Sequence, residues 1–564
     1  MVAETLRHLN TTTFPAFHRE HITALPPRSK KLSSAGETGT SNGVYQNFEL
    51  ELIQDVNMED FEDYVNRRMD TDQFVEEYAS LPPADQDRCV IAMSEANIKC
   101  NRYRKIYPYD DTLVALRKDD GLMEGDFINA SYITGYGNPR EYIATQERED
   151  ITADYTTRMI TVKKNDDIRT VYHLHFTSWT DKRRPVYGAT TLIAFYRKVH
   201  SFDIVAKGPL VVHCSTGIDR TGTFIALDIL QKQTMLKGIL NVYKCVKKLR
   251  SERMLMVQTE AQYVFMHKFL VEFIQCGFTT YDVNGFQDKF RLLCNAEPEL
   301  AGLSRLERQF QILCEIKDEL HESPEKDGLS IENKYKNRDM DVIPNDFDRP
   351  RLPGKVKDDY INAVFVDSFK VHDFYVATQM PLPQTVVDFW RLVYKLKTRS
   401  IIMLNQFDNT DPTSKPYWPS NDQPKQIYGP IEVTLIKTNN EDRRKNLRQF
   451  QLLTWPNSEK VPPNKEDILK LIDLTEQWQG QFRSSRAGKT IVHCLTGGRQ
   501  SGVYCGATFV LDKMRSEQQI DVFLAARYVT RRRPQFLQTQ EEFKFLHEVA
   551  IAAIERSRLN GNIQ

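Results

Sequence analysis

At 564 residues, 40% of them apolar, the chain is long enough for two to four buried cores, which excludes wholesale disorder and fibrous repeats. Its 76 basic and 76 acidic residues balance, so no overall charge draws it to nucleic acid or to a membrane surface. No apolar run approaches the roughly 18 residues of a membrane span, and the first thirty residues lack the apolar core of a signal peptide. Nine cysteines, sparsely spread, fit a reducing compartment better than a disulfide framework.

In chain order, residues 1–44 read as a flexible tail: Leu25-Pro26-Pro27 leads into Lys30-Lys31 and a Ser/Gly/Thr stretch ending near Gly43, a composition with no core. From Phe48 the pattern turns helical, with Phe61, Tyr64, Met69, Phe74, Val75 and Tyr78 at helical spacing before Pro82-Pro83 breaks it. Asp126-Phe127-Ile128-Asn129-Ala130 then recurs as Asp359-Tyr360-Ile361-Asn362-Ala363. An Ala-Thr-Gln follows each at the same distance, ending at Gln146 and Gln379. His213-Cys214 recurs as His493-Cys494 after a strand-like apolar run, and Gln258-Thr259 recurs as Gln538-Thr539. Equal offsets at several anchors predict a duplication, with domains over 45–278 and 285–558.

The copies differ in length. Gln146 to Trp179 is 33 residues, whereas Gln379 to Trp455 is 76, so the first copy is short by 43. In the second copy that region holds Phe389-Trp390-Arg391-Leu392-Val393, helical in pattern, and Ser400-Ile401-Ile402-Met403-Leu404, a buried strand in pattern. Their loss is expected to expose a sheet edge and an apolar face in the first domain.

The chemistry concentrates in His213-Cys214-Ser215-Thr216-Gly217-Ile218-Asp219-Arg220-Thr221-Gly222, between a strand-like run and a helix beginning near Phe224. Strand, tight loop and helix point several backbone N–H groups at one anion. A cysteine opening that loop lies near the helix's positive end, where thiolate is favoured. Arg220, six positions on, can offer two parallel donors to phosphoryl oxygens, and Thr221 can donate to the sulfur.

With these residues the chain resembles the cytoplasmic region of a receptor-type protein tyrosine phosphatase with tandem phosphatase domains, over residues 45 to about 558. The second copy's Pro381-Leu382-Pro383 and His493-Cys494-Leu495-Thr496-Gly497-Gly498 most resemble the subclass with adhesive ectodomains. The resemblance implies an α/β fold in each domain, a twisted mixed central sheet flanked by helices, with no metal and no cofactor. It implies Cys214 as nucleophile forming a cysteinyl-phosphate, Arg220 as phosphate clamp and Asp181 as general acid. Gln258 is implied as the water-positioning glutamine and Gln262 as the second glutamine near it. Tyr103 is implied to flank the phosphotyrosine, and the loop residues Ser215, Thr216, Gly217, Ile218 and Asp219 to cradle the phosphate, with His213 and Thr221 in support. Partners would be tyrosine-phosphorylated proteins, with contact between the two domains and no nucleic acid. The location would be the cytoplasmic side of the plasma membrane, in a single-pass receptor whose transmembrane segment and ectodomain lie outside this sequence.

Several residues depart from the family pattern. Thr180 replaces a proline, Lys182-Arg183-Arg184 replaces His-Gly-Val, and Lys105 replaces an Asp or Asn that orients the peptide. Asp219 replaces a small residue, and an inward carboxylate there would repel a phosphate dianion. In the second copy the clamp position is Gln500, Arg499 is displaced by one, and Asn457 stands where the acid belongs, so Cys494 is expected to be inert; Tyr335 and Gln538 match Tyr103 and Gln258. Arg531-Arg532-Arg533 is expected on a solvated face. The competing reading is a tandem pseudophosphatase acting as a scaffold or phosphotyrosine-binding module. A single-domain cysteine-loop enzyme, such as an arsenate reductase or a dual-specificity phosphatase, is disfavoured by the duplication and by Tyr103.

Overall fold

The computed structural model describes residues 54–559 apart from 70, 104, 117–126, 147–154, 165–166, 178, 180–191, 193–194, 197, 201–208, 278, 298–301, 321–325, 355–357, 409, 437–446 and 482–487. The tail expected over 1–44 lies outside the described residues.

The first domain runs α1 (Phe61–Met69), α2 (Gln73–Ala79), β1 (Leu113–Ala115), β2 (Phe127–Ile133), β3 (Tyr142–Gln146), β4 (Tyr155–Lys164), β5 (Asp167–Phe176), β6 (Leu210–Cys214), α3 (Arg220–Lys237), α4 (Val242–Glu252) and α5 (Glu260–Cys276). The second runs α6 (Phe286–Leu293), α7 (Arg305–Leu320), β7 (Ala363–Val366), β8 (Tyr375–Gln379), α8 (Val386–Lys395), β9 (Ser400–Met403), β10 (Lys425–Tyr428), β11 (Ile431–Thr434), β12 (Arg448–Gln451), α9 (Lys465–Gln479), β13 (Thr490–Cys494), α10 (Arg499–Glu517), α11 (Val522–Arg532) and α12 (Gln540–Leu559). Both central sheets are mixed and flanked by helices, as expected.

The duplication extends to register. In the first domain β3 and β6 run parallel with Gln146 opposite Cys214; in the second β8 and β13 run parallel with Gln379 opposite Cys494. Each pair carries an antiparallel neighbour, β2 on β3 and β7 on β8. The helices repeat too. A histidine on α5, His267, donates through Nδ1 to the Tyr263 carbonyl (2.9 Å), and His547 on α12 repeats this at the Phe543 carbonyl (3.1 Å). Both rings sit in aromatic clusters, His267 against Phe61, Phe74 and Tyr263, His547 against Phe286, Phe290 and Phe543.

The missing segment shows in the sheets. The second domain's order is β7-β8-β13-β9-β12, with β13 interior; the first domain's is β1-β2-β3-β6, and among the described residues no strand pairs with the outer edge of β6. The helix α8 buries Phe389, Trp390, Leu392 and Val393 against Ile401 and Ile491, so every residue of β13 is buried. The position of Ile491 is held by Val211 in β6, which is 53% exposed. Among the described residues the expected open edge is present, with Val211 exposed beside it.

Among the described residues β5 pairs only with β4, in an antiparallel hairpin of two ten-residue strands that the sequence pattern did not announce. Its apolar residues Met159, Ile160, Val162, Ile168 and Val171 remain exposed. The hairpin meets β6 through side chains: the His173 ring stacks on His213 at 6.0 Å. It also meets the second domain, where Tyr155 donates to Glu517 (2.7 Å) and Lys198 stands 3.6 Å from the same carboxylate. Further contacts between the domains are Arg527–Glu272 (2.5 Å) and Gln309 to the Cys276 carbonyl (3.1 Å). The segment Tyr281–Asp282 pairs with Gln519–Ile520, as Val56–Asn57 pairs with Ile239–Leu240 in the first domain.

Arg531-Arg532-Arg533 corrects an expectation, for the run is not a solvated face. Arg531 and Arg532 grip Asp367 at 2.7 and 2.9 Å, Arg532 also reaches Asp348 (2.7 Å), and Arg533 is buried. Burial works to raise the Asp367 carboxyl, but His372, Arg532 and Arg531 overcome it and hold it well below the usual range. Acidic partners within the fold, invisible to a charge count, turn the run inward.

Two expectations follow. Val211→Lys should change stability by less than about 0.5 kcal/mol, whereas Ile491→Lys should cost roughly 4 kcal/mol or more, measured by denaturant unfolding of the two variants. Burial lowers the imidazole pKa of His267 and His493 to about 3 and of His547 to about 4. Unfolded imidazoles bind protons near pH 6.5, so stability present above that pH is lost as pH falls towards 4, by up to ~1.4 kcal/mol per pH unit for each site. His547→Gln should flatten that acid limb in a pH series of unfolding midpoints.

Candidate active site

Five residues, 215–219, join β6 to α3 and carry the cysteine loop. Gly217 makes the turn possible: its φ is +73°, and a Cβ there would lie 2.6 Å from the Thr145 carbonyl oxygen. Gly497 repeats this in the second domain, with φ +77° and a Cβ that would lie 2.5 Å from the Thr378 carbonyl carbon. The loop returns its amides to the sulfur: the Gly217 N–H donates to Cys214 Sγ at 3.2 Å. Cys214 is only partly buried.

Asp219 turns inward. Its Oδ1 accepts from Cys214 Sγ (2.8 Å), Thr216 Oγ1 (3.1 Å) and the Arg220 backbone N–H (2.6 Å), and it is the N-cap of α3. Thr216 Oγ1 lies 3.8 Å from the sulfur. Thr221, expected to donate to that sulfur, is buried, and its hydroxyl makes no hydrogen bond among the described residues. Arg220 is the half-buried first residue of α3.

Behind the loop stands a residue that motif reading overlooked. Arg253, wholly buried, donates through Nε to the Gly217 carbonyl (2.9 Å), through Nη1 to Ser131 Oγ (3.0 Å) and through Nη2 to Asn129 Oδ1 (2.8 Å). Burial lowers its pKa to about 10, opposed by the nearby Cys214 and Cys89. Arg533 does the same in the second domain, to the Gly497 carbonyl (2.9 Å) and Asn362 Oδ1 (2.8 Å). A signal existed in the sequence: an arginine precedes the Gln-Thr of each copy at the same spacing.

Of the other candidates, Tyr103 has a contact with the loop. The Tyr103 hydroxyl meets Ser215 Oγ at 2.5 Å, which sets this ring beside the loop. Gln258 is exposed at the start of α5, and Gln262 Oε1 accepts from the Gln258 and Thr259 amides (3.0 and 3.3 Å) while Thr259 caps the helix. In this arrangement the Gln262 side chain serves the cap. Lys105 is exposed, with φ +76°. Asp181, with Thr180 and Lys182 to Arg184, lies outside the described residues.

At the second site the same backbone holds different chemistry. Cys494 is 2% exposed. Arg499 Nε pairs with the buried Glu542 at 2.9 Å, at the position where the first domain has Gln262. Gln500 is buried with its Nε2 unpartnered among the described residues. Asn457 is tied to the Gln406 backbone by two 3.0 Å hydrogen bonds. His493 Nε2 meets the Tyr417 hydroxyl at 2.7 Å; Tyr417 belongs to the segment the first domain lacks, where His213 faces His173 instead. Tyr335 is exposed at a cleft of about 620 Å³ that also takes in Arg338, Thr413, Leu495 and Thr496, while Gln538 is exposed nearby in sequence to α12.

Comparison with known sequences agrees with this geometry. The family described as protein-tyrosine phosphatase matches residues 97–148, 147–272 and 333–552. The second domain matches in one piece, whereas the first matches in two pieces that meet where the 43 residues are missing. The chain is 31% identical to receptor-type tyrosine-protein phosphatase U of Gallus gallus over 531 residues, covering 80% of this chain and 36% of that one. It is 30% identical to receptor-type tyrosine-protein phosphatase alpha of Homo sapiens over 571 residues, covering 86% and 70%, and 29% identical to its Mus musculus counterpart over 607 residues. Thus the chain spans about a third of the chicken relative's length. No helix among the described residues is long and apolar enough to cross a membrane.

On native protein, iodoacetamide followed by peptide mass mapping should leave Cys494 unmodified while Cys100 and Cys294, both exposed, react. Modification of Cys494 at a comparable rate would show that its loop opens.

Proposed function

The chain belongs to the protein-tyrosine phosphatase family, with two tandem domains of it, and on that premise we propose that the first domain hydrolyses phosphotyrosine on proteins while the second is inert. The observation that carries this is the contrast between the cysteines: Cys214 is partly open beneath the Gly217 N–H, whereas Cys494 is sealed beside an arginine committed to Glu542.

In the proposed reaction the Cys214 sulfur attacks phosphorus, an S–P bond forms and the bond to the tyrosyl oxygen breaks. That oxygen takes a proton from Asp181. Water, placed by Gln258, then attacks phosphorus, gives its proton back to Asp181 and frees inorganic phosphate and the cysteine. Charge gathers on the phosphoryl oxygens, which the loop amides and Arg220 would meet. Tyr103 would stack on the tyrosine ring and set the depth of the pocket. Tyr335 and the cleft it lines suit the second domain to a docking or regulatory role. We place the chain on the cytoplasmic side of the plasma membrane as part of a receptor, with domain limits near 278 and 281, the latter because Tyr281–Asp282 pairs with the second domain.

A second reading, an impaired first domain serving as a scaffold, is favoured by the open edge of β6 and by the inward turn of Asp219. Hydrolysis of an aryl phosphate separates the two. Full-length protein should turn it over at least 100-fold faster than Cys214→Ser, while Cys494→Ser should leave the rate within twofold. A rate equal to that of Cys214→Ser would leave only the scaffold.

A further inference from the structure

We propose that Asp219 is a built-in anion that occupies the phosphoryl cradle of the first domain and restrains it, an inference that rests on the phosphatase reading above. One oxygen, Oδ1, lies between the Cys214 sulfur, the Thr216 hydroxyl and the Arg220 backbone N–H at 2.8, 3.1 and 2.6 Å. Two of those three groups are ones a phosphoryl group needs, since phosphorus must reach the sulfur and its oxygens must take the loop amides. The carboxylate oxygen therefore stands where a phosphoryl oxygen would, satisfied by the same donors and carrying the same sign of charge. It also engages the sulfur as a hydrogen-bond donor, while the attacking form is the bare thiolate.

The backbone does not force this direction. The equivalent residue of the second domain is Arg499, which turns out of its loop to Glu542. In the first domain the position of Glu542 is Gln262, whose side chain serves the helix cap. Asp219 thus turns to the donors of the cradle itself. The same Oδ1 bond to the Arg220 N–H caps α3, but Gly or Asn can fill an N-cap with little loss of helix stability, so the charge can be removed while the helix keeps its start.

The ligands held back are tetrahedral oxyanions and dianionic aryl phosphates. The test uses the full chain with Asp219→Gly and Asp219→Asn, the latter keeping an N-cap oxygen without its charge. Three quantities are read: tungstate affinity by calorimetry, the rate of Cys214 alkylation by iodoacetamide, and kcat/KM for an aryl phosphate against the Cys214→Ser blank. Both variants are expected to bind tungstate at least tenfold more tightly and to alkylate at least fivefold faster, with kcat/KM rising at least tenfold. Tungstate affinity and alkylation within twofold of the parent in both variants would overturn the assignment and leave Asp219 as a helix cap only. If binding and alkylation respond while turnover stays at the blank, Asp219 keeps this role and the phosphatase reading fails. Turnover in the parent without any response in the variants gives the reverse.

Discussion

Both halves of the molecule depend on one buried guanidinium. Arg253 ties the carbonyl of the loop glycine to Ser131 and Asn129 of the sheet, and Arg533 repeats the tie to Gly497 and Asn362. A cation wholly removed from water is costly unless its donors are satisfied, and here each is spread over neutral acceptors in fixed positions. The tie holds a tight turn whose glycine has a positive φ against the strand that bears the second Ala-Thr-Gln residue, Thr145 or Thr378. Because it is present in both domains, it is a property of the framework and not of catalysis. The loop keeps its shape in the second domain although Gln500 and Asn457 stand there in place of Arg220 and Asp181.

The two copies depart from the family's pattern in different ways. In the second domain the framework is complete and the side chains have changed: a buried glutamate captures the displaced arginine, and the cysteine is closed off. In the first domain the cysteine remains reachable, but among the described residues the supporting sheet ends at its own strand. His213 illustrates the exchange, taking a stacked histidine where His493 has a tyrosine hydroxyl. Precision at a reacting sulfur comes from such surroundings, and a strand with one free edge is less firmly placed than one paired on both sides.

Much of this was legible in the chain. The repeated anchors marked the duplication, and the registers Gln146–Cys214 and Gln379–Cys494 follow them residue for residue, because equal spacing leaves a parallel pair little other choice. The 33-against-76 difference marked the absent strand, since apolar runs of that kind are core elements. The direction of Asp219 was not legible, for it depends on which donors lie within reach after folding. Nor was the β4–β5 hairpin, in which, among the described residues, β5 pairs only with β4. The Arg531–Arg533 run misled because Asp348, Asp367 and Asp373, far upstream in sequence, meet it only in three dimensions. Arg253 was hidden for the opposite reason: a lone arginine outside the motif carries no local signature, and only its repetition betrays it.

Glu517 belongs to the second domain, and it receives Tyr155 and Lys198 from the shortened side of its neighbour, and Lys513 from its own helix. Drift at that position would therefore be felt across the domain boundary, in the very region with the least support of its own. The second domain in this way acts as a buttress, and the side chains on that face answer to two folds at once.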